Sequence, residues 1–255
     1  MKKIFVLIIA IFFAGISTSY AIYVTEDFQS YTPGNSLNLG NGGSGWATTW
    51  DEALGDFKCQ TVDGSKMGQA TTAGTLGRRT FSGYTNEDIT FQLNLTSWPA
   101  PLDGVCGSVL FLSNAGYKGP YITFNSDTQS LIARGDYETE TTNLLGEGVE
   151  AVAGTTYTIN ITDVKVGVNG TYSVQVSKPG IIYNLYQNVK FEFWALDVPI
   201  LEKIYFSNDS TNANTVSIDN ITVGAVPEPS TYALFGIGLL GLIGGWMRRS
   251  KRLKT

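Results

Sequence analysis

The stretch YTINITDVKVGVNGTYSVQV, Tyr157 to Val176, decides the fold. Tyr157, Ile159 and Ile161 alternate with Thr158, Asn160 and Thr162; further on, Tyr172, Val174 and Val176 alternate with Ser173, Gln175 and Ser177. A period of two places successive side chains on opposite faces of a strand, so each segment has one core face and one wet face. Between them lies Asn169-Gly170, two residues that tolerate the positive φ a two-residue hairpin turn demands. The segment reads as a β-hairpin lying on a hydrophobic core.

The same period recurs outward from it. Ile89, Phe91, Leu93 and Leu95 alternate with Asp88, Thr90, Gln92 and Asn94, and Val189, Phe191 and Phe193 alternate with Lys190 and Glu192. Val105 to Leu112 is apolar on both parities apart from Cys106, Gly107 and Ser108, as a central strand would be. Val216 and Ile218 have one parity, Ile221 and Val223 the other, which predicts a bulge near Asp219-Asn220. Helical periodicity is scarce. Many short strands with Gly, Asn and Asp turns predict an all-β jelly-roll sandwich over residues 22–224. No linker or repeat divides it, and Gly40 to Gly45 reads as a loop within it.

The chain has 255 residues, 15% of them charged, and no histidine. The last point excludes Ser-His-Asp and Cys-His catalysis and histidine-ligated metals. The formal net charge of -5 conceals an asymmetry, because seven of the 17 basic residues lie at the two ends. Residues 22–226 carry roughly −11, which argues against nucleic acid as a partner.

Residues 1–21 read as a secretory signal peptide: Lys2 and Lys3, an apolar run from Ile4 to Ile16, then small residues, with cleavage expected between Ala21 and Ile22. At the other end, Pro227-Glu228-Pro229 precedes an apolar, glycine-rich stretch, Tyr232 to Met247, and a basic cluster of Arg248, Arg249, Lys251, Arg252 and Lys254. The stretch approaches the length of a membrane span, and the cluster would hold the end in the cytoplasm. Both prolines favour extended backbone before the membrane. Residues 225–255 therefore form a unit of their own, with a transmembrane helix expected over 232–247.

That unit resembles the PEP-CTERM sorting signal. The resemblance implies that the protein is a substrate of exosortase, a membrane-embedded, cysteine transpeptidase-like enzyme of Gram-negative bacteria that make exopolysaccharide. It implies recognition at Pro227, Glu228 and Pro229 during transient anchoring in the inner membrane. Tail removal and delivery to the cell surface or extracellular matrix would follow. A second resemblance rests on EDFQSYTPGNSLN (from Glu26), GGSGWATTW (to Trp50) and SIDNITV (Ser217 to Val223). These are similar to the edges of concanavalin A-like (laminin-G-like) jelly rolls and also of galactose-binding-like ones. Many such domains bind carbohydrate.

Within the domain, Trp194 shares parity with Lys190 and Glu192 on an expected wet face, where an exposed ring would stack on a sugar. Glu26 and Asp219 lie on the first and last strands, which are neighbours in many jelly rolls; with backbone carbonyls they are candidate ligands for a structural calcium ion. No other cofactor is expected. Cys59 and Cys106 are the only cysteines, and export favours a disulfide between them. Glu138 and Glu140 share a face if their segment is extended, but the Glu-x-Asp-x-x-Glu pattern of concanavalin A-like glucanases is absent. The expectation is an exported, non-enzymatic surface or matrix protein that binds extracellular polysaccharide. A carboxylate-dependent polysaccharide hydrolase or lyase and a purely structural surface protein stand as alternatives.

Overall fold

A computed structural model describes residues 24–84, 88–102, 104–112, 118–134, 149–165, 171–190, 201–210 and 215–224. The signal peptide, the sorting segment with its expected helix, and Trp194 and Glu192 lie outside them. The chain divides into a unit ending at Gly224 and another beginning at Ala225.

The described residues form fifteen strands: β1 (Val24–Glu26), β2 (Asp51–Leu54), β3 (Phe57–Val62), β4 (Ser65–Ala70), β5 (Leu76–Tyr84), β6 (Ile89–Ser97), β7 (Val105–Leu112), β8 (Lys118–Asn125), β9 (Ser130–Arg134), β10 (Val149–Glu150), β11 (Thr156–Lys165), β12 (Thr171–Lys178), β13 (Ile181–Lys190), β14 (Leu201–Ser207) and β15 (Thr215–Val223). They make two antiparallel sheets. Sheet 1 runs β13-β12-β11-β6-β15-β4-β3, with β1 also on β15, and sheet 2 runs β10-β9-β8-β7-β14-β5-β2. The fold is a jelly-roll β-sandwich.

The alternating residues do what their period requires. Tyr157, Ile159 and Ile161 of β11, and Phe91 and Leu93 of β6, are wholly buried between the sheets, with Val176 of β12 nearly so, while neighbours of the opposite parity line the outer face. β11 and β12 pair as the expected hairpin, Thr162 opposite Ser173; its turn lies outside the described residues. β7 is an interior strand between β8 and β14, as its two-sided apolarity predicts. The parity change in β15 is a register shift between Asp219 and Thr222, with Asn220 at φ 48°. Before the bulge β15 pairs with β4, Val216 opposite Ala70; after it β15 pairs with β1, Val223 opposite Val24. The bulge thus lets one strand serve two neighbours on one side.

The cysteines depart from expectation. Cys59 of β3 and Cys106 of β7 are both buried, with no bridge between them. They lie in different sheets, where each fills core volume as a small hydrophobe. Burial pushes the Cys59 thiol pKa up.

Candidate polysaccharide-contact surface

The segment between β1 and β2 has no strand of its own, yet backbone hydrogen bonds tie it to β1 and β3 and it folds over a buried charge pair. Glu26, at the end of β1, is 1% exposed and Arg79 of β5 is 3% exposed, and the two form a buried ion pair. The Glu26 carboxylate also accepts hydrogen bonds from Trp50 Nε1 (3.1 Å), the Phe28 amide (3.1 Å) and Tyr31 OH (3.2 Å). The Arg79 guanidinium lies 4.5 Å from the Trp46 ring centroid and donates to the carbonyls of Thr48 and Gly42. Trp46 and Trp50 therefore roof a satisfied charge pair. Burial depresses the Arg79 pKa, opposed by Glu26; burial and then the Glu26 charge push Tyr31 up to about 12. Breaking such a pair by removing one partner typically costs about 3–5 kcal/mol.

This geometry tests the calcium reading, and Glu26 does not fit it. Its oxygens are taken by four donors, and the guanidinium beside them would repel a cation. Asp219 stands apart from that pair: Ser65 Oγ donates to its Oδ2 at 3.0 Å, and its Oδ1 is buried without a hydrogen-bond partner. No group of three or more Cys, Asp or Glu side chains that could hold a metal ion occurs among the described residues.

The outer face of sheet 2 offers a different arrangement. Cross-strand register lines up Asp51 of β2, Arg78 of β5, Tyr205 of β14 and Leu110 of β7. Directly opposite residues share a face. Arg78 Nε donates to Asp51 Oδ2 at 2.6 Å, and the two side chains remain 44% and 50% exposed. Asp51, and then Tyr205, hold the Arg78 pKa above its usual range. Two residues along and on the same face, Thr80 and Lys203 are paired and half-buried. Further along, Ser108 Oγ and Ser207 Oγ lie 2.7 Å apart, and each is within hydrogen-bond reach of Asp209 Oδ2. Toward β8 and β9 the same face is closed, with Thr123 and Ile132 buried. The open half, over β2, β5 and β14, thus presents a fixed guanidinium–carboxylate pair beside a tyrosine.

Sequence reasoning singled out other residues. Of Trp194, Lys190 and Glu192, only Lys190 falls within the described residues, its backbone opposite Thr171 at the edge of sheet 1; Glu138 and Glu140 fall outside them. The surface on sheet 2 was missed, although a signal for it existed. Arg78 and Arg79 are adjacent in a strand, so period two must send one to solvent and the other into the core. A buried arginine requires a buried carboxylate, which Glu26 supplies.

Residues 225–249 match the model of the PEP-CTERM protein-sorting motif. The chain therefore carries the mark of an exported protein handled by exosortase. No curated protein matches the chain in sequence. Among solved structures it is similar to the carbohydrate esterase vb_24B_21 from the Shiga toxin-encoding bacteriophage phi24B, at 14% identity and a TM-score of 0.49 over 74% of this chain and 95% of that one. It is also similar to the carbohydrate-binding module CBM66 from Bacillus subtilis, at 8% identity and 0.44 over 69% and 95%. A third is lectin II from Ulex europaeus, at 10% identity and 0.46 over 78% and 97%.

Proposed function

We propose that the protein is a surface or matrix component that holds extracellular polysaccharide on the open half of sheet 2 and does not cleave it. The observation that carries this reading is the row of exposed Arg78 between half-buried Asp51 and Tyr205 on a chain that carries a PEP-CTERM motif. A tyrosine supplies an apolar ring with a polar tip, and a fixed Arg–Asp pair supplies donors and an acceptor in one plane. Together they suit the mixed C–H and O–H surface of a sugar. Strand-borne side chains locked by mutual hydrogen bonds lose little freedom on binding.

A glycosidase needs one carboxylic acid with a raised pKa and a second carboxyl across the bond. On this surface Asp51 is neutralised by Arg78 and Asp209 accepts from two serines. Described carboxyls with a raised pKa, Asp88 and Asp219, belong to the sheet 1 side of the molecule. These features favour holding a chain over cutting it.

The test is retention of the full chain, in detergent micelles, on immobilised polysaccharide from the producing cells' matrix. Tyr205→Ala and Arg78→Ala should each weaken retention at least fivefold, with no reducing ends released by the parent. Unchanged retention in both variants, or release of reducing ends, would overturn the reading.

A further inference from the structure

The outer face of sheet 1 carries a second surface of different chemistry. Its half-exposed side chains are hydroxyls and amides: Thr158 and Asn160 on β11, Gln175 and Ser177 on β12, Thr90 and Gln92 on β6. Several are tied across strands, with Thr90 Oγ1 donating to Asn160 Oδ1 at 2.9 Å and Asn220 Nδ2 donating to Gln92 Oε1 at 2.9 Å. At one end this face sinks into an open groove of about 340 Å³ lined by Gln92, Thr156, Thr158, Ser177, Lys178 and Pro179.

Register explains the groove. Ser177 lies opposite Thr158, and Thr158 opposite Gln92, so hydroxyl, hydroxyl and amide cross three strands in one row spanning roughly 10 Å. On the other side Ser177 lies opposite Ile182, which therefore shares this face and is 67% exposed. The row thus runs from a bare aliphatic side chain to a series of hydrogen-bonding groups. The hairpin Lys178-Pro179-Gly180-Ile181 walls the end, with Gly180 at φ 80°. Proline followed by a glycine at positive φ is the signature of a type II turn, which holds its shape without ligand.

We propose that this groove is a binding site for a neutral polysaccharide chain, separate from the surface on sheet 2. No carboxylate lines it. Lys178 in its lining is set against two acidic neighbours, Asp63, 3.5 Å from Thr156 Oγ1, and Glu150, whose charge acts on Lys178. A domain carrying roughly −11 repels a polyanion at long range, and one lysine does not reverse that. A neutral glycan meets no such penalty: its C–H face lies on Ile182 and its hydroxyls replace water on Ser177, Thr158 and Gln92. With sugar sites on both sheets, one molecule bridges two polysaccharide chains. The bridging, though not the groove itself, rests on the reading of sheet 2.

The experiment is affinity electrophoresis of the full chain in detergent micelles through gels containing hydroxyethyl cellulose or alginate, followed by turbidity of hydroxyethyl cellulose mixed with matrix polysaccharide. Thr158→Arg fills the groove with a long side chain, and Ile182→Ser removes the apolar platform from an exposed position that does not endanger folding. Both should lower affinity for hydroxyethyl cellulose at least tenfold and abolish the turbidity, with far-UV circular dichroism unchanged. Tyr205→Ala should keep the affinity for hydroxyethyl cellulose and lose only the turbidity. The proposal is overturned if Ile182→Ser retards like the parent, if alginate retards the parent more than hydroxyethyl cellulose does, or if neither gel retards it. If Tyr205→Ala also keeps the turbidity, the groove stands and the sheet 2 reading falls.

Discussion

Asp219 sits at the β15 bulge with no solvent exposure, one oxygen held by Ser65 and the other unpartnered. Burial, with smaller contributions from Asp27 and Glu26, raises its pKa from 3.8 to about 6. A carboxyl whose folded pKa lies above its unfolded value binds its proton more tightly in the native state. Its stabilising contribution is full below pH 3.8 and is lost as the pH rises through about 6. Replacing it by asparagine removes that titration. The stability of Asp219→Asn relative to the parent should therefore improve between pH 4 and pH 8 by about 2–3 kcal/mol, measured by urea unfolding at each pH. A difference independent of pH would show that Asp219 does not titrate in this range. Glu26 shows the contrast: it is equally buried but has a guanidinium beside it, so its charge is compensated where that of Asp219 is not.

At the scale of elements, the two sheets approach closely where glycines face aromatic rings. A Cβ on Gly77 of β5 would lie 2.6 Å from Phe57 Cδ1, and one on Gly68 of β4 would lie 2.8 Å from the Phe28 and Phe57 rings. Phe57 itself is buried between Trp50 and Phe206, with ring centroids 5.1 and 5.6 Å away. Neither ring neighbour leaves it room to retreat. Gly77→Ala should therefore destabilise the domain by about 1–3 kcal/mol, the usual cost of overpacking. Gly64→Ala, at a turn where a Cβ meets nothing within 4 Å but φ is 84°, should cost only the backbone strain of about 1 kcal/mol. Thermal unfolding of the two variants checks the order; an equal loss would remove the packing argument.

For the whole molecule, the last strand of the sandwich and the sorting motif are contiguous in sequence, with β15 ending at Val223 and the motif beginning at residue 225. β15 lies inside sheet 1, between β6 on one side and β4 and β1 on the other. The domain thus cannot complete sheet 1 until almost all of it has been made, and the motif follows at once. Changing Pro227, Glu228 and Pro229 to alanine should leave the sandwich folded and block removal of the tail. The protein should then stay in the inner membrane, heavier than the processed form by about 25 residues, because the prolines no longer set the extended backbone at the motif. Membrane fractionation with intact-mass analysis in a host carrying exosortase measures this, and normal processing of the triple variant would contradict it.

Period-two alternation determined the all-β class and the bulge at Asp219-Asn220, the Asn169-Gly170 turn added the β11–β12 hairpin, and apolarity on both parities gave the interior position of β7. These are local consequences of which face each side chain must bury, and a one-residue slip would expose every one of them. The sorting motif was likewise legible, because its composition and its place before a basic end carry the information without any fold. The two proposed contact surfaces were not. Asp51, Arg78 and Tyr205 are up to 154 positions apart, and Ile182, Ser177, Thr158 and Gln92 come from four strands. Only the order of strands across each sheet places them side by side. The cysteines teach the same lesson in reverse: export argued for a bridge, but Cys59 and Cys106 are buried on β3 and β7 without forming one. Pairing of cysteines depends on where the sandwich carries each strand, which residue number does not encode.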